Sequence, residues 1–292
     1  MIYYRYENCN YINDSLTLRK QTVYIKEIFM DRTEWYLEYE ILTNRPGLLG
    51  DISSLLGMLS INIIMINGVE NGKRGMLILS KYDDQVTRLR SILQTMDTIR
   101  LTKLRKPNLR DKLAVRHGKY IHRDIENRKI IRFVRNELGL LVDFMAELYK
   151  NEGHKLIGMR GMPRVGKTES IVAASVSANK RWLFVSSTLL KQTVRNQLIQ
   201  GEYSPDNIYI IDGVVSKNRA NEKHWQLIRE IMQLPAVKVV EHPDIFVQAT
   251  EYNLDDFDYI IELRSHEDEE ITYDEVEKAQ FNQGDGFSMF DF

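Results

Sequence analysis

The stretch Gly161-Met162-Pro163-Arg164-Val165-Gly166-Lys167-Thr168 leaves this chain little freedom in what it can fold into. Its spacing is G-x-x-x-x-G-K-[ST], the phosphate-loop pattern of nucleotide triphosphatases and kinases. The two glycines let the backbone form a nest whose N–H groups point inward at phosphate oxygens. Lys167 reaches the outer phosphates of a bound ATP or GTP, and the Thr168 hydroxyl holds Mg2+. Residues 155–159 read as a short apolar strand before the loop. Glu169 opens a helix after it, aiming its positive end at the phosphates. Residues Gly161 to Thr168 with Glu169 are therefore the expected nucleotide site, and Lys167 is expected to face solvent while that site is empty.

Downstream, strands alternate with helices, which calls for a parallel sheet covered on both faces. The pattern predicts strands at 182–187, 208–212, 237–240, 245–249 and 258–263, and helices at 189–198 and 217–232. Ligands of such sheets bind outside the carboxyl ends of strands. Asp212 ends the buried strand 208–212, so it is expected to share the Mg2+ with Thr168 and, with Lys167, to be a catalytic residue. An ordinary strand-capping carboxylate is the competing reading of Asp212. Gly213 follows it where vigorous ATPases carry a glutamate. Glu169, Glu241 and Glu251 remain to activate water, and Arg219, Arg229 and Arg264 to steady a transferring phosphate.

Residues 34–106 carry a different pattern, strand–helix–strand–strand–helix–strand, the order of a ferredoxin-like unit. The first strand, 35–41, alternates as a half-buried strand should. The turn Asn44-Arg45-Pro46-Gly47-Leu48-Leu49 resembles the signature of ACT domains, small regulatory modules that often bind amino acids, with Asn44 where the motif usually has Asp. The resemblance implies an amino-acid effector site at Asn44, Pro46, Gly47 and Leu48, beside a neighbouring subunit. An ACT-like module used only for dimerisation is the alternative. Either way the prediction is a homodimer, because an unpaired sheet edge is a liability in water.

The intended domain map is then complete. Residues 1–29 are a translated leader or an N-terminal extension, 30–106 the ACT-like domain, and 107–152 a basic connector. Within the connector, 126–150 reads as one long helix with an apolar stripe. Residues 153–265 form the phosphate-loop domain, and 266–292 an acidic, disordered tail whose last aromatics suggest a docking motif. With Lys and Arg totalling 40 against 41 Asp and Glu, the charge is nearly balanced overall but not locally. The connector is basic and the tail acidic, so they pair with each other or with partners. The connector lacks a recognised nucleic-acid motif, which argues against a nucleic-acid partner. Cys9 is the sole cysteine and the six histidines lack metal-ligand spacing, each reading as a surface or packing residue. No secretory signal or apolar membrane run is present, so the expected location is the cytoplasm.

An ACT-like module, a basic link and a phosphate-loop domain in this order resemble the YmfK-like family of Bacillus-type bacteria. That resemblance implies architecture, an α+β domain followed by an α/β domain, and no activity. The residues favour a nucleotide-binding regulatory protein whose amino-acid sensor biases a phosphate-loop domain. A small-molecule kinase is the second reading, and a scaffold that binds nucleotide without turnover the third.

Overall fold

A computed structural model describes residues 32–272, apart from 71, 125, 126, 128 and 191. The readings of 1–29 and of the terminal aromatics lie outside the described residues. The chain divides into two compact units between Gly118 and Lys119.

The first unit runs β1 (Thr33–Ile41), α1 (Leu48–Met58), β2 (Asn62–Glu70), β3 (Lys73–Ser80), α2 (Asp83–Gln94), β4 (Ile99–Arg105) and α3 (Leu109–His117). Its antiparallel sheet has the order β2-β3-β1-β4. The core on one face joins Leu37 and Tyr39 of β1 to Ile52 and Leu56 of α1 and to Val86, Leu89 and Leu93 of α2. This is the strand and helix order expected from the sequence. Two expectations change, however. Strand β1 is buried on both faces around Tyr36 to Tyr39, and residue 107 is not the boundary. Asn108 accepts from the Asp111 backbone N–H at 3.0 Å, and Asp111 accepts from that of Asn108 at 2.9 Å. This reciprocal cap starts α3, which packs back on β2 and β3. Gly75 makes room for it, since a Cβ there would lie 3.1 Å from Val115 Cγ2 and 2.6 Å from Val69 Cγ1. The buried Glu38 is held by Tyr36 Oη at 2.8 Å, Thr102 Oγ1 at 2.8 Å and Lys103 Nζ at 3.0 Å.

The second unit opens with β5 (His122–Arg123) and β6 (Ile130–Val134). A 3₁₀ turn, Arg135–Glu137, leads into α4 (Leu138–Lys150). The long helix expected over 126–150 is thus a strand, a turn and a shorter helix. The Ile130, Ile131 and Val134 side chains that opened the stripe suit a strand, and β6 pairs in parallel with the last strand. A run this apolar satisfies both periods, and only its sheet neighbour decides.

The unit continues with β7 (Lys155–Arg160), α5 (Lys167–Ser177), β8 (Arg181–Phe184), β9 (Ser186–Ser187), β10 (Thr193–Val194) and β11 (Asn207–Asp212). It closes with α6 (Gly213–Arg219), α7 (Glu222–Gln233), β12 (Val237–Glu241), α8 (Pro243–Gln248) and β13 (Tyr259–Arg264). The sheet order is β5-β6-β13-β7-β12-β11-β8, parallel except for β5. Three further expectations are corrected. The helix at 189–198 is a return that pairs β10 with β9. The helix at 217–232 is two helices, because Asn221 caps α7 by accepting from His224 N–H at 3.0 Å. The strand at 245–249 is α8, which has Pro243 in its first turn, where proline's fixed φ suits a helix start. Among the described residues no helix is long and apolar enough to cross a membrane.

Candidate functional site

The 161–166 loop leaves the carboxyl end of the central strand β7 and turns directly into α5. Gly166 has φ 110°, a conformation that side chains avoid. At Gly161 a Cβ would come within 2.5 Å of the Leu263 carbonyl oxygen, so the loop can lie against β13 only with glycine there. Arg164 is exposed, whereas Val165 turns into the core.

Lys167 does not face solvent as expected. It is 6% exposed, and its Nζ donates to the Gly161 and Met162 carbonyl oxygens, both at 2.9 Å. Among the described residues its ammonium has no ion pair. Burial pushes its pKa down, with Glu241 and Asp212 pulling it back.

Thr168 and Asp212 are not brought into contact. The Thr168 hydroxyl donates to Glu241 Oε1 at 2.6 Å. Glu241 ends β12, in register with Asp212 on β11 and Met159 on β7. Asp212 itself caps α6, its Oδ1 accepting from Val214 and Val215 N–H at 3.0 and 3.1 Å. Its Oδ2 accepts from the Thr188 hydroxyl at 2.6 Å, a residue delivered by the β9–β10 return. Burial pushes the Glu241 pKa up to about 7, the Asp212 charge adds to the rise, and Lys167 opposes it. These are hard oxygen donors, and two carboxylates side by side with a hydroxyl fit a Mg2+ ion in chemistry. Among the described residues no group of three His, Cys, Asp or Glu forms an all-protein metal centre. Magnesium here would therefore share its shell with ligand phosphates, as it usually does.

Of the three glutamates left open, Glu241 is the one built into the site. Glu169 is exposed at its rim, and Glu251 is exposed in the segment after α8. Arg229 is exposed and paired with Glu222, and Arg219 is exposed at the end of α6. Arg264 ends β13, where Glu262 binds it at 2.9 Å, Arg132 at 2.9 Å and Arg160 at 3.2 Å. The loop and strand ends enclose a cavity of about 120 Å³ lined by Arg164, Lys167, Thr168, Thr188, Glu241 and His242 among others. Sequence reading missed Thr188 and His242. No signal marks Thr188, but a histidine before proline, straight after a buried strand, marks His242 as a bend at the functional edge.

In the first unit, the Asn44 to Leu48 turn leads from β1 into α1. Gly47 has φ 83° at the helix start, and its carbonyl accepts from Asp51 N–H at 2.9 Å. Asn44, Pro46 and Gly47 are exposed, while Leu48 lies in the core and is not open to a ligand.

Residues 101–290 match a family described as "Protein of unknown function (DUF3388)". The chain is also 70% identical over 261 residues to the "Uncharacterized protein YmfK" of Bacillus subtilis (strain 168), an alignment spanning 89% of this chain and 97% of that protein. With all but the last two residues of the second unit inside the family match, this chain belongs to the DUF3388 family of YmfK-like proteins.

Proposed function

We propose that the protein is a nucleotide-binding regulator, with a phosphate-loop domain in its second unit and an ACT-like amino-acid sensor in its first. The observation that carries the nucleotide half is Lys167. It is a buried ammonium with no ion pair among the described residues, at the head of a helix and beneath a glycine loop at the carboxyl edge of a parallel sheet. A buried cation without a counterion is costly, and a triphosphate supplies one. The loop N–H groups would cradle the phosphates, and Thr168, Glu241 and Asp212 would hold the Mg2+ that screens them. Without the metal, burial and the Asp212 charge hold the Glu241 pKa up to about 7, and Mg2+ binding would favour its charged form.

The sensor half is supported by the antiparallel four-strand order and by the exposed Asn44-Arg45-Pro46-Gly47 turn. The homodimer is supported by β2, an edge strand whose Ile63, Ile64 and Met65 are 37, 46 and 37% exposed. The kinase reading draws on a second cavity of about 260 Å³ at the ends of β6 and β13, lined by Arg132, Phe133 and Arg264, which is suited to an acceptor.

Titration with Mg-ATP and Mg-GTP, alone and with a panel of amino acids, tests the proposal. It expects nucleotide to stabilise the fold, and an effector to change nucleotide affinity reciprocally by about 1–3 kcal/mol. Phosphate transfer to a metabolite mixture would select the kinase reading. Absence of any nucleotide binding would end both.

A further inference from the structure

We propose that His242 distinguishes the terminal phosphoryl group, so that this site tells a nucleoside triphosphate from a diphosphate through one imidazole. The inference rests on the phosphate-loop reading above and adds to it a residue that no part of the loop pattern contains.

His242 is fully buried, and among the described residues neither of its ring nitrogens has a hydrogen-bond partner. Buried polar atoms are nearly always satisfied, so two orphans on one ring call for a reason. The backbone adds a second anomaly. His242 sits at φ 56°, ψ 59°, in the left-handed region, directly before Pro243. A residue preceding proline is normally driven to extended conformations. Strain of this kind persists only where the surroundings over-determine it, and such residues cluster at functional sites.

The surroundings here do so. His242 N–H donates to the Met159 carbonyl at 3.0 Å, and its own carbonyl accepts from Ile245 and Phe246 N–H at 3.1 Å each. Gly213 packs so closely on that carbonyl that a Cβ would lie 2.7 Å away. Three elements thus fix a histidine in an unfavourable conformation, at a residue that lines the cavity shared with Lys167, Thr168 and Glu241.

The chemistry of that cavity selects the ligand group. Lys167 and Thr168 mark the outer-phosphate and magnesium end of a phosphate loop, and the loop amides serve the inner phosphates. His242 comes from the end of β12, not from the loop, and adjoins the Glu241 carboxylate that holds Thr168. An imidazole, neutral or protonated, offers an N–H donor to an anionic oxygen. A site built around a hydrogen bond discriminates strongly against a ligand lacking the partner, because its buried groups are then left unpaired.

The test compares a non-hydrolysable triphosphate analogue with the diphosphate by calorimetry, with Mg2+, on the full chain. The wild type should prefer the triphosphate. His242→Ala should lose triphosphate affinity by about tenfold or more while diphosphate affinity stays within about twofold. His242→Asn, which tolerates the left-handed backbone and keeps a donor, should recover part of the difference. Should either variant fail to fold, the wild type decides through imidazole nitrogen NMR. The His242 signals should move with the triphosphate analogue and not with the diphosphate. Equal losses for both nucleotides, an unchanged preference, or ring signals indifferent to the triphosphate would overturn the role of His242 while leaving the nucleotide site standing. A wild type that binds neither nucleotide would overturn the phosphate-loop reading and this inference together.

Discussion

Replacing Lys167 by methionine separates a binding role from an architectural one, because the two roles predict opposite signs. Methionine keeps the length and apolar stem but removes the charge. In the protein without nucleotide, the ammonium has two hydrogen bonds to carbonyl oxygens, each 2.9 Å, and no ion pair among the described residues. Hydrogen bonds to a charged group contribute about 1.5–3 kcal/mol each. Against this stands a desolvation penalty of several kcal/mol per buried ion. Burial lowers the Lys167 pKa, so the folded state disfavours the charged form. Stability without nucleotide should therefore change by no more than about 1 kcal/mol, and in the stabilising direction if the loop relaxes.

Binding should respond the other way. Loss of one charge-assisted bond to an outer phosphate costs about 1.5–3 kcal/mol, or roughly tenfold to a hundredfold in Kd. Urea denaturation with and without Mg-ATP and Mg-GTP reads both quantities. At a nucleotide concentration of about a hundred times its Kd the wild type gains about 2.7 kcal/mol, and Lys167→Met should gain about 1.4 kcal/mol or less. A variant that loses more than about 3 kcal/mol without nucleotide would make Lys167 an architectural residue. Undiminished stabilisation by both nucleotides would refute the binding assignment outright.

Three other outcomes are expected. Lys238 is fully buried in β12, and burial lowers its pKa to about 8. The unfolded chain therefore binds the proton more tightly, and stability should rise by up to about 3 kcal/mol from pH 8 to 10.5. Lys238→Met should flatten that rise in denaturation curves taken across the window, and an equal rise in the variant would refute the assignment. Gly75→Ala should destabilise the first unit by about 1–3 kcal/mol, because the new methyl overlaps Val69, Tyr36 and Val115, and a melting temperature unchanged by the substitution would contradict this packing. Ile64→Lys at the exposed edge strand should shift the proposed homodimer toward monomer in light scattering with little effect on the melt, and an unaltered mass would exclude the β2 edge as the interface.

The strand, loop and helix around Gly161 to Thr168 were legible in the sequence because their signals are local. Two glycines, a lysine and a threonine sit within eight residues, and the flanking strand and helix carry short-range signals of their own. Residues 33–105 of the first unit were legible for the same reason, their strands and helices announced by period and turn. The break at Asn221 and the helix opened by Pro243 had local signals that were passed over, whereas the other failures occur where a residue's neighbour is distant in the chain. Ile130 to Val134 reads equally well as helix or strand until β13 lies beside it. Residues 189–198 lose their helix because Ser186 and Thr188 are tied to Asp212, whose backbone N–H donates to Ser186 Oγ at 2.8 Å. Residue 107 looked like a boundary because its proline ends a strand, and nothing local says that α3 folds back on the same sheet. Tertiary structure also chose the partner of Thr168. Its place at the end of a buried strand favoured Asp212, but that carboxylate is used by the N–H groups of α6, and the strand lying between β11 and β7 presents Glu241 instead. Sequence determines which residues prefer to turn, pair or coil. Which carboxylate faces the hydroxyl, and which histidine closes the cavity, are decided by strand order, because only strand order sets what lies side by side.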